Sequence, residues 1–360
     1  MSDGCDADSS APSLSVDGIK TALHCPRRYE FAHVDGLEGD EDDGALEARV
    51  DLLRTAICDA LRSGETDREK LEAVAEDRLS RLWRDHDEGF HSAAQRRHER
   101  RVLEATLAAY VERVGTDHAA GIARLDAEAG RGELIGPALP LSSTIELPET
   151  VPGDGERSSA SSALEADTAT IDATVDYVYG DGSSIVGVRF VPTLAPLGRL
   201  RYRSDWEGDV ADLFTDHFAE DAAAFEPAPI GALFETAVAL DGLRGLRDRL
   251  ALGDRTCRYV QIPLADRSTL SVNWVRDAVE TSLEVVDLTD VYVDHHTFGM
   301  THDHRNETVD GQLETVAADL VAGSFDPAAR WAQIEANSCP DCGYTVCCQE
   351  YIGREVRFDG

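Results

Sequence analysis

Cys25 stands alone near the start of the chain, in His24-Cys25-Pro26-Arg27-Arg28-Tyr29, while Cys339, Cys342, Cys347 and Cys348 crowd its end. If these thiols serve one site, the two ends of a 360-residue chain must meet. Cys339, Cys342 and Cys348 read C-x2-C-x5-C, and a fourth ligand far upstream is the spacing expected of a metal or iron–sulfur clamp. Cys339-Pro340-Asp341-Cys342-Gly343 also suits a zinc knuckle, with Cys347 or Cys348 completing the site alongside Cys25. Unliganded thiols are the third reading. Cys5, Cys58 and Cys257 have no ligand spacing and read as small buried or terminal residues.

Charge sets the second constraint. There are 34 basic against 69 acidic residues, a formal net charge of −35, yet 42% of the chain is apolar, enough for a sizeable core. Lysine is confined to Lys20 and Lys70, and arginine supplies the remaining positive charge. This balance is expected of a protein adapted to molar salt, where charges are screened within a few ångströms and acidic side chains keep the surface hydrated. Under such screening the overall charge does not exclude a nucleic-acid site, which would rest on local arginine contacts. No run approaches 18 apolar residues and the N-terminus is acidic, so a soluble, cytoplasmic protein is expected, with no membrane partner. A reducing compartment agrees with thiols that ligate metal.

The pattern predicts a polar, disordered tail over 1–14, a short helix capped by Ser15 or Asp17 and broken at Cys25-Pro26, and a helical region through 128. Its stripes are Val50, Leu53, Ile57 and Leu61, then Leu103, Leu107, Tyr110 and Val114. An α/β core is expected over 129–335. Its parts are a strand at Thr144 to Leu147, a loop at 153–162, and a hairpin of Thr170 to Tyr179 and Ser184 to Phe190 turning at Gly180-Asp181-Gly182. Further on come a helix at Ile230 to Leu250, a strand at Tyr259 to Pro263, and helices over 272–286 and 308–322. The cysteine clamp occupies 336–360.

Taken in order, the Cys-Pro-x-x-Tyr turn, the helical block, the Asp-bearing hairpin, the helix after it and the terminal C-x2-C-x5-C resemble the iron–sulfur branch of the RecB-like nucleases. These belong to the PD-(D/E)XK superfamily and include the AddB subunit and CRISPR-associated exonucleases. The resemblance implies an α/β fold with a PD-(D/E)XK nuclease-like core, a mixed sheet flanked by helices. It also implies a [4Fe–4S] cluster on Cys25, Cys339, Cys342 and Cys348 tying the tail to the first helix. In that family carboxylates and a histidine hold Mg²⁺ or Mn²⁺ and a lysine stabilises developing charge during phosphodiester hydrolysis. Asp176 matches the first carboxylate. The second falls on Gly187, the lysine on Arg189, the histidine on Cys58, and the Gln and Tyr of the following helix on Ile230 and Phe234. Arginine keeps the charge but does not give up a proton, and one carboxylate is a poor site for a hard divalent ion. Glu235 and Glu146 are the candidate relocated carboxylates.

Arg27 and Arg28, with Arg96, Arg97, Arg100 and Arg101, are the candidate phosphate contacts; Arg199, Arg201 and Arg203 would share a face if extended. The alternative for these clusters is a surface network with carboxylates. His295, His296, His302 and His304, beside Asp294 and Asp303, match no metal-binding spacing and read as a solvated turn. The expected function is binding or processing of DNA ends or single strands in repair or recombination, with a helicase or nuclease subunit as partner and catalysis weakened or lost. An active exonuclease with relocated ligands and a zinc-stapled scaffold without a nucleic-acid role are the rivals.

Overall fold

The structure, a computed structural model, describes residues 11–39, 44–129, 133–148, 167–205, 209–219, 224–273, 276, 278–293 and 305–355. A short strand β1 (Ser13–Ser15) leads into α1 (Val16–His24), whose first turn is capped by the Ser15 hydroxyl accepting from the Gly18 N–H. Cys25 is extended, and Pro26 opens α2 (Pro26–Tyr29), which runs on into a wide turn at Glu30–Val34. The helical block follows as α3 (Gly44–Arg62), α4 (Arg68–Asp85), α5 (Ala93–Tyr110) and α6 (Thr116–Ala129). A π-turn at Val111–Gly115 joins the last two. The remaining principal elements are β2 (Ile135–Glu146), β3 (Thr168–Asp181), β4 (Ser184–Val191), α7 (Val210–Phe218), α8 (Pro227–Arg249) and β5 (Thr256–Pro263). Three short strands, β6 (Ser271–Asn273), β7 (Ala278–Glu280) and β8 (Val286–Asp287), precede α9 (Thr289–Val293), α10 (Glu307–Val321), α11 (Trp331–Asn337) and α12 (Gln349–Glu355).

β3 is the spine of a mixed sheet. Along one edge it pairs antiparallel with β2 from Ile135↔Tyr177 to Glu146↔Thr168. Along the other it pairs with two strands in turn: parallel with β1 at Ser13↔Thr170 to Ser15↔Asp172, then antiparallel with β4 from Tyr177↔Val188 to Asp181↔Ser184. β4 runs parallel to β5 from Ser184↔Thr256 to Val191↔Pro263, the connection being made through α8, and β5 pairs antiparallel with β8. Both faces of the sheet are covered. Ile19, Val175, Ile185, Leu233, Leu240 and Leu243 belong to one core, and Leu53, Ile57, Leu107, Tyr177, Val188 and Phe190 to the other.

Several expectations shift. The tail is not uniformly irregular, because Ser13–Ser15 joins β3 and Leu14 is buried; residues 1–10 lie outside the described set. β2 is three times the predicted strand, since Pro137 and Pro140 lie on an edge strand where a missing N–H costs nothing to the ladder. A register shift between Ile135 and Leu139, with Ala138 at φ 58°, absorbs Pro137, while Pro140 stays in register with Thr174. The hairpin turns at Gly182-Ser183, with Gly182 at φ 54°. The helix expected over 272–286 is absent among the described residues: β6 and β7 form an antiparallel pair there, and Val286 starts β8. The loop at 153–162 and the histidine-rich segment lie outside the described residues.

Candidate functional site

Asp176 sits where β3 exchanges one partner strand for another. The β3–β4 ladder ends at Tyr177↔Val188, and the freed Phe190 N–H is taken by the Asp176 side chain, donating to Oδ2 at 2.6 Å. The other carboxylate oxygen, Oδ1, faces Arg54 Nε of α3 at 2.9 Å, and the same guanidinium donates to the Phe190 carbonyl at 3.1 Å. Asp176 is fully buried. Burial pushes its pKa up, opposed by Arg54, by the Phe190 N–H and by Arg189. Cys58, one turn along α3 from Arg54, points its thiol at the Asp176 backbone carbonyl, 3.6 Å away.

A divalent ion needs several oxygens, and the arrangement does not fit one. Of the oxygens nearest the fork, the Phe190 carbonyl accepts from Arg54, and Asp176 Oδ1 is ion-paired with Arg54 Nε while accepting no hydrogen bond. Gly187 is crowded against a second carboxylate: a Cβ there would lie 2.9 Å from Leu243 Cδ1 and 3.2 Å from Val175 Cγ1, so these side chains would have to shift. Leucine of α8 fills that space. Among the described residues no group of three or more His, Cys, Asp or Glu side chains is drawn close enough to hold an ion.

Glu235 lies in a separate, neighbouring network on α8. Its Oε1 accepts from Tyr259 Oη at 2.7 Å and its Oε2 from Gln261 Nε2 at 3.3 Å and from Lys20, with Arg189 Nε 3.9 Å from Oε1. Burial works to raise its pKa, but Lys20, Arg189 and the hydrogen bonds outweigh it and hold the carboxyl below the usual range. Lys20 reaches across from α1 because Gly231 leaves space for its stem; a Cβ at 231 would lie 2.9 Å from Lys20 Cγ. Arg189 also donates to Thr174 Oγ1 and its carbonyl, so it spans the two carboxylate sites without leaving the sheet. Glu146 is elsewhere. It is exposed and in register with Thr168, eight residues along β3 from Asp176 or roughly 26 Å at strand rise, so the structure does not bring it to the fork.

Beside Glu235 a cleft of about 570 Å³ opens at the ends of β4 and β5. Its walls include Val191 at the end of β4, Pro192, Pro196 and Leu197 from the segment after it and Pro227 from α8; its polar groups are Lys20, Glu235 and Gln261 together with His24, Glu47 and Thr193. The sequence reading missed Lys20, Arg54, Tyr259 and Gln261. Only Lys20 carried a signal, being one of two lysines in a chain that otherwise uses arginine.

At the other end of α1, Cys25, Cys339, Cys342 and Cys348 line one small cavity together with Trp331 and Tyr344, while Cys347 is exposed and outside it. The docking is built by aromatic and ionic contacts between chain ends. Phe31 packs on Tyr344 with ring centroids 5.6 Å apart, Tyr344 Oη donates to the Leu37 carbonyl at 2.9 Å, and Arg27 pairs with Glu350 at 2.7 Å. Burial, reinforced by the neighbouring thiols, pushes the Cys339 thiol up to about 11 and raises Cys25 as well. Thiols are the donor type of a soft metal centre rather than of a hard ion, although as placed no three of these side chains are close enough together to hold an ion.

The arginine candidates divide. Arg27 is committed to Glu30 and Glu350, and Arg28 lines the cysteine cavity. On α5, Arg96 stacks over Trp83 at 5.7 Å and donates to its carbonyl, and Arg100 bonds Glu104 at 2.7 Å and Ser80 at 3.3 Å, so this pair ties α5 to α4. Arg97 is exposed, and Arg101 follows one turn later on the same face. Arg201 is held by Glu284 at 2.6 Å within an irregular helical segment, Ala195–Asp205, so no extended arginine face forms.

No curated protein matches this chain. A family model of the PD-(D/E)XK nuclease superfamily matches residues 13–147, from β1 through the helical block and β2, and stops short of the hairpin that carries Asp176. Over those elements the chain is similar to the PD-(D/E)XK nucleases, and the mixed sheet flanked by helices that they enter is consistent with that core.

Proposed function

We propose that this chain is a nuclease-fold protein that holds DNA ends or single strands without cleaving them, its two termini stapled by a [4Fe–4S] cluster on Cys25, Cys339, Cys342 and Cys348. One observation carries the catalytic half of the reading: Arg54 neutralises Asp176 and engages the adjacent carbonyl, while Leu243 fills the space a second carboxylate would need. Metal-assisted hydrolysis requires an ion that polarises the phosphate and activates water, and these residues offer it no oxygen cage. The nucleic-acid half rests on the superfamily similarity over residues 13–147. The cluster half rests on four thiols from both chain ends lining one cavity; when bound, such a group would supply a cross-link between the tail and the first helix, and zinc would serve the same purpose. A repair setting with a helicase or nuclease subunit is the biological context this reading favours.

The test uses full-length protein isolated anaerobically and assayed in molar KCl with Mg²⁺ and Mn²⁺. Labelled single-stranded DNA should be retained and left intact. Cleavage abolished by Asp176→Ala would overturn the reading, as would absence of binding at every salt concentration.

A further inference from the structure

The cleft beside Glu235 plays no part in the staple, and its composition is specific. Much of its wall is proline rings and aliphatic side chains, Pro192, Pro196, Pro227, Val191 and Leu197, which present flat apolar surface, with Glu47, His24 and Thr193 also on its lining. Its polar floor is deeply buried: Glu235 is 5% exposed and Gln261 4% exposed. The Gln261 amide nitrogen is committed to Glu235 and to Tyr259 Oη, both at 3.3 Å, which turns the amide oxygen away from that pair. Lys20, one-third exposed, stands at the edge of this floor, anchored on Glu235. A volume of about 570 Å³ with apolar walls and a few fixed polar groups is the make-up of a small-ligand site.

We infer that this cleft takes an unstacked nucleobase from a bound single strand, the ring lying between the proline walls and its edge meeting Gln261 and Glu235. A nucleobase is the ligand class that combines a planar apolar face with an edge of mixed donors and acceptors, and it is read by such edges once unpaired. Lys20 would then face the strand's sugar–phosphate as it leaves the cleft. This rests on the proposed nucleic-acid function and adds where the strand enters and what holds it.

The probe is a short single-stranded oligonucleotide carrying 2-aminopurine at its 3′ end, its 5′ end or its middle, with fluorescein on a distant nucleotide. Two variants interrogate the cleft: Ala228→Phe, which places a ring into it from the half-buried second residue of α8, and Gln261→Ala. Wild-type protein should change 2-aminopurine emission at one label position, and both variants should abolish that change. The variants should also weaken strand binding, read by fluorescein anisotropy, roughly ten-fold, the loss of one well-held base. Unaltered melting temperature for Ala228→Phe keeps misfolding out of the result. Strand binding by anisotropy with no 2-aminopurine response at any position would overturn the cleft assignment while leaving the proposed function standing; no strand binding at all would remove both. Saturation by free 2-aminopurine nucleoside monophosphate that oligonucleotide fails to displace would also overturn it, assigning the cleft to a free nucleotide.

Discussion

At the scale of single residues, charge placement decides what the fork between β1 and β4 can do. Asp176 is buried with Arg54 as its ion-pair partner, so removing Arg54 would leave the carboxylate at the centre of the sheet with only the Phe190 N–H and the more distant Arg189 to compensate it. Arg54→Ala should cost about 3–5 kcal/mol at neutral pH, the usual consequence of orphaning one partner of a buried pair. The pH dependence follows from the sign. An acid whose folded pKa is raised binds its proton more readily in the folded state, so its ionisation destabilises the fold above that pKa and the cost is relieved as pH falls through it. Urea titrations of Arg54→Ala should therefore approach wild type in acid, and Asp176→Asn in the Arg54→Ala background should recover most of the loss at pH 7. Equal losses at all pH values, with no recovery in the double variant, would show that Arg54 acts through packing alone.

At the scale of elements, α8 governs the site from beneath. Its Leu243 packs under β4 at Gly187, Gly231 lets α1 deliver Lys20, and Gly242 approaches β2 so closely that a Cβ would lie 2.7 Å from Leu141 Cβ. These close approaches make the sheet–helix interface intolerant of added volume. Gly187→Asp, the substitution that would restore a second carboxylate, should destabilise the protein by about 1–3 kcal/mol from overpacking and gain no Mn²⁺ affinity by calorimetry. Adding Leu243→Ala opens the space, and stability relative to Leu243→Ala alone should then be lost to a smaller extent. A Gly187→Asp protein as stable as wild type would show that α8 yields where the packing says it does not.

At the scale of the molecule, the termini close on each other. Phe31, Leu37 and Arg27 near the start meet Tyr344 and Glu350 near the end, and four thiols share the cavity between them. The aromatic and ionic contacts position the tail, while a cluster would fix it covalently. Protein isolated anaerobically should be brown, with about four irons per chain. Cys25→Ser should lose them as completely as Cys339→Ser does, with limited proteolysis then removing the C-terminal segment in both. Cys347→Ser, outside the cavity, should retain iron. Stoichiometric zinc without iron, or loss confined to the C-terminal variants, would replace the cluster with a zinc knuckle or a one-ended site.

Much of this architecture is written locally. Ser15 as a cap, Pro26 as a break, the apolar spacing of α3 and α5, and the β-rich run around Gly182 each act within a few residues, so α1, the helical block and the β3–β4 hairpin are legible from the sequence. So is the presence of Gly187 and Arg189 where the resemblance expects an aspartate and a lysine, because both can be read off the strand. What the sequence could not give depends on long-range contact. Ser13–Ser15 becomes a strand only because β3 has an unpaired edge beyond the fork, and Ser271–Asn273 pairs with Ala278–Glu280 as strands where the sequence pattern suggests a helix. Arg54 is one of 32 arginines until α3 crosses β3, and Lys20 is a surface-like lysine until α1 meets α8. Local chemistry therefore determined which elements form and which side chains the hairpin carries. Only the tertiary structure decided what surrounds them, since a counter-ion, a filling leucine and a cleft floor are defined by neighbours in space and leave no mark on the order of residues.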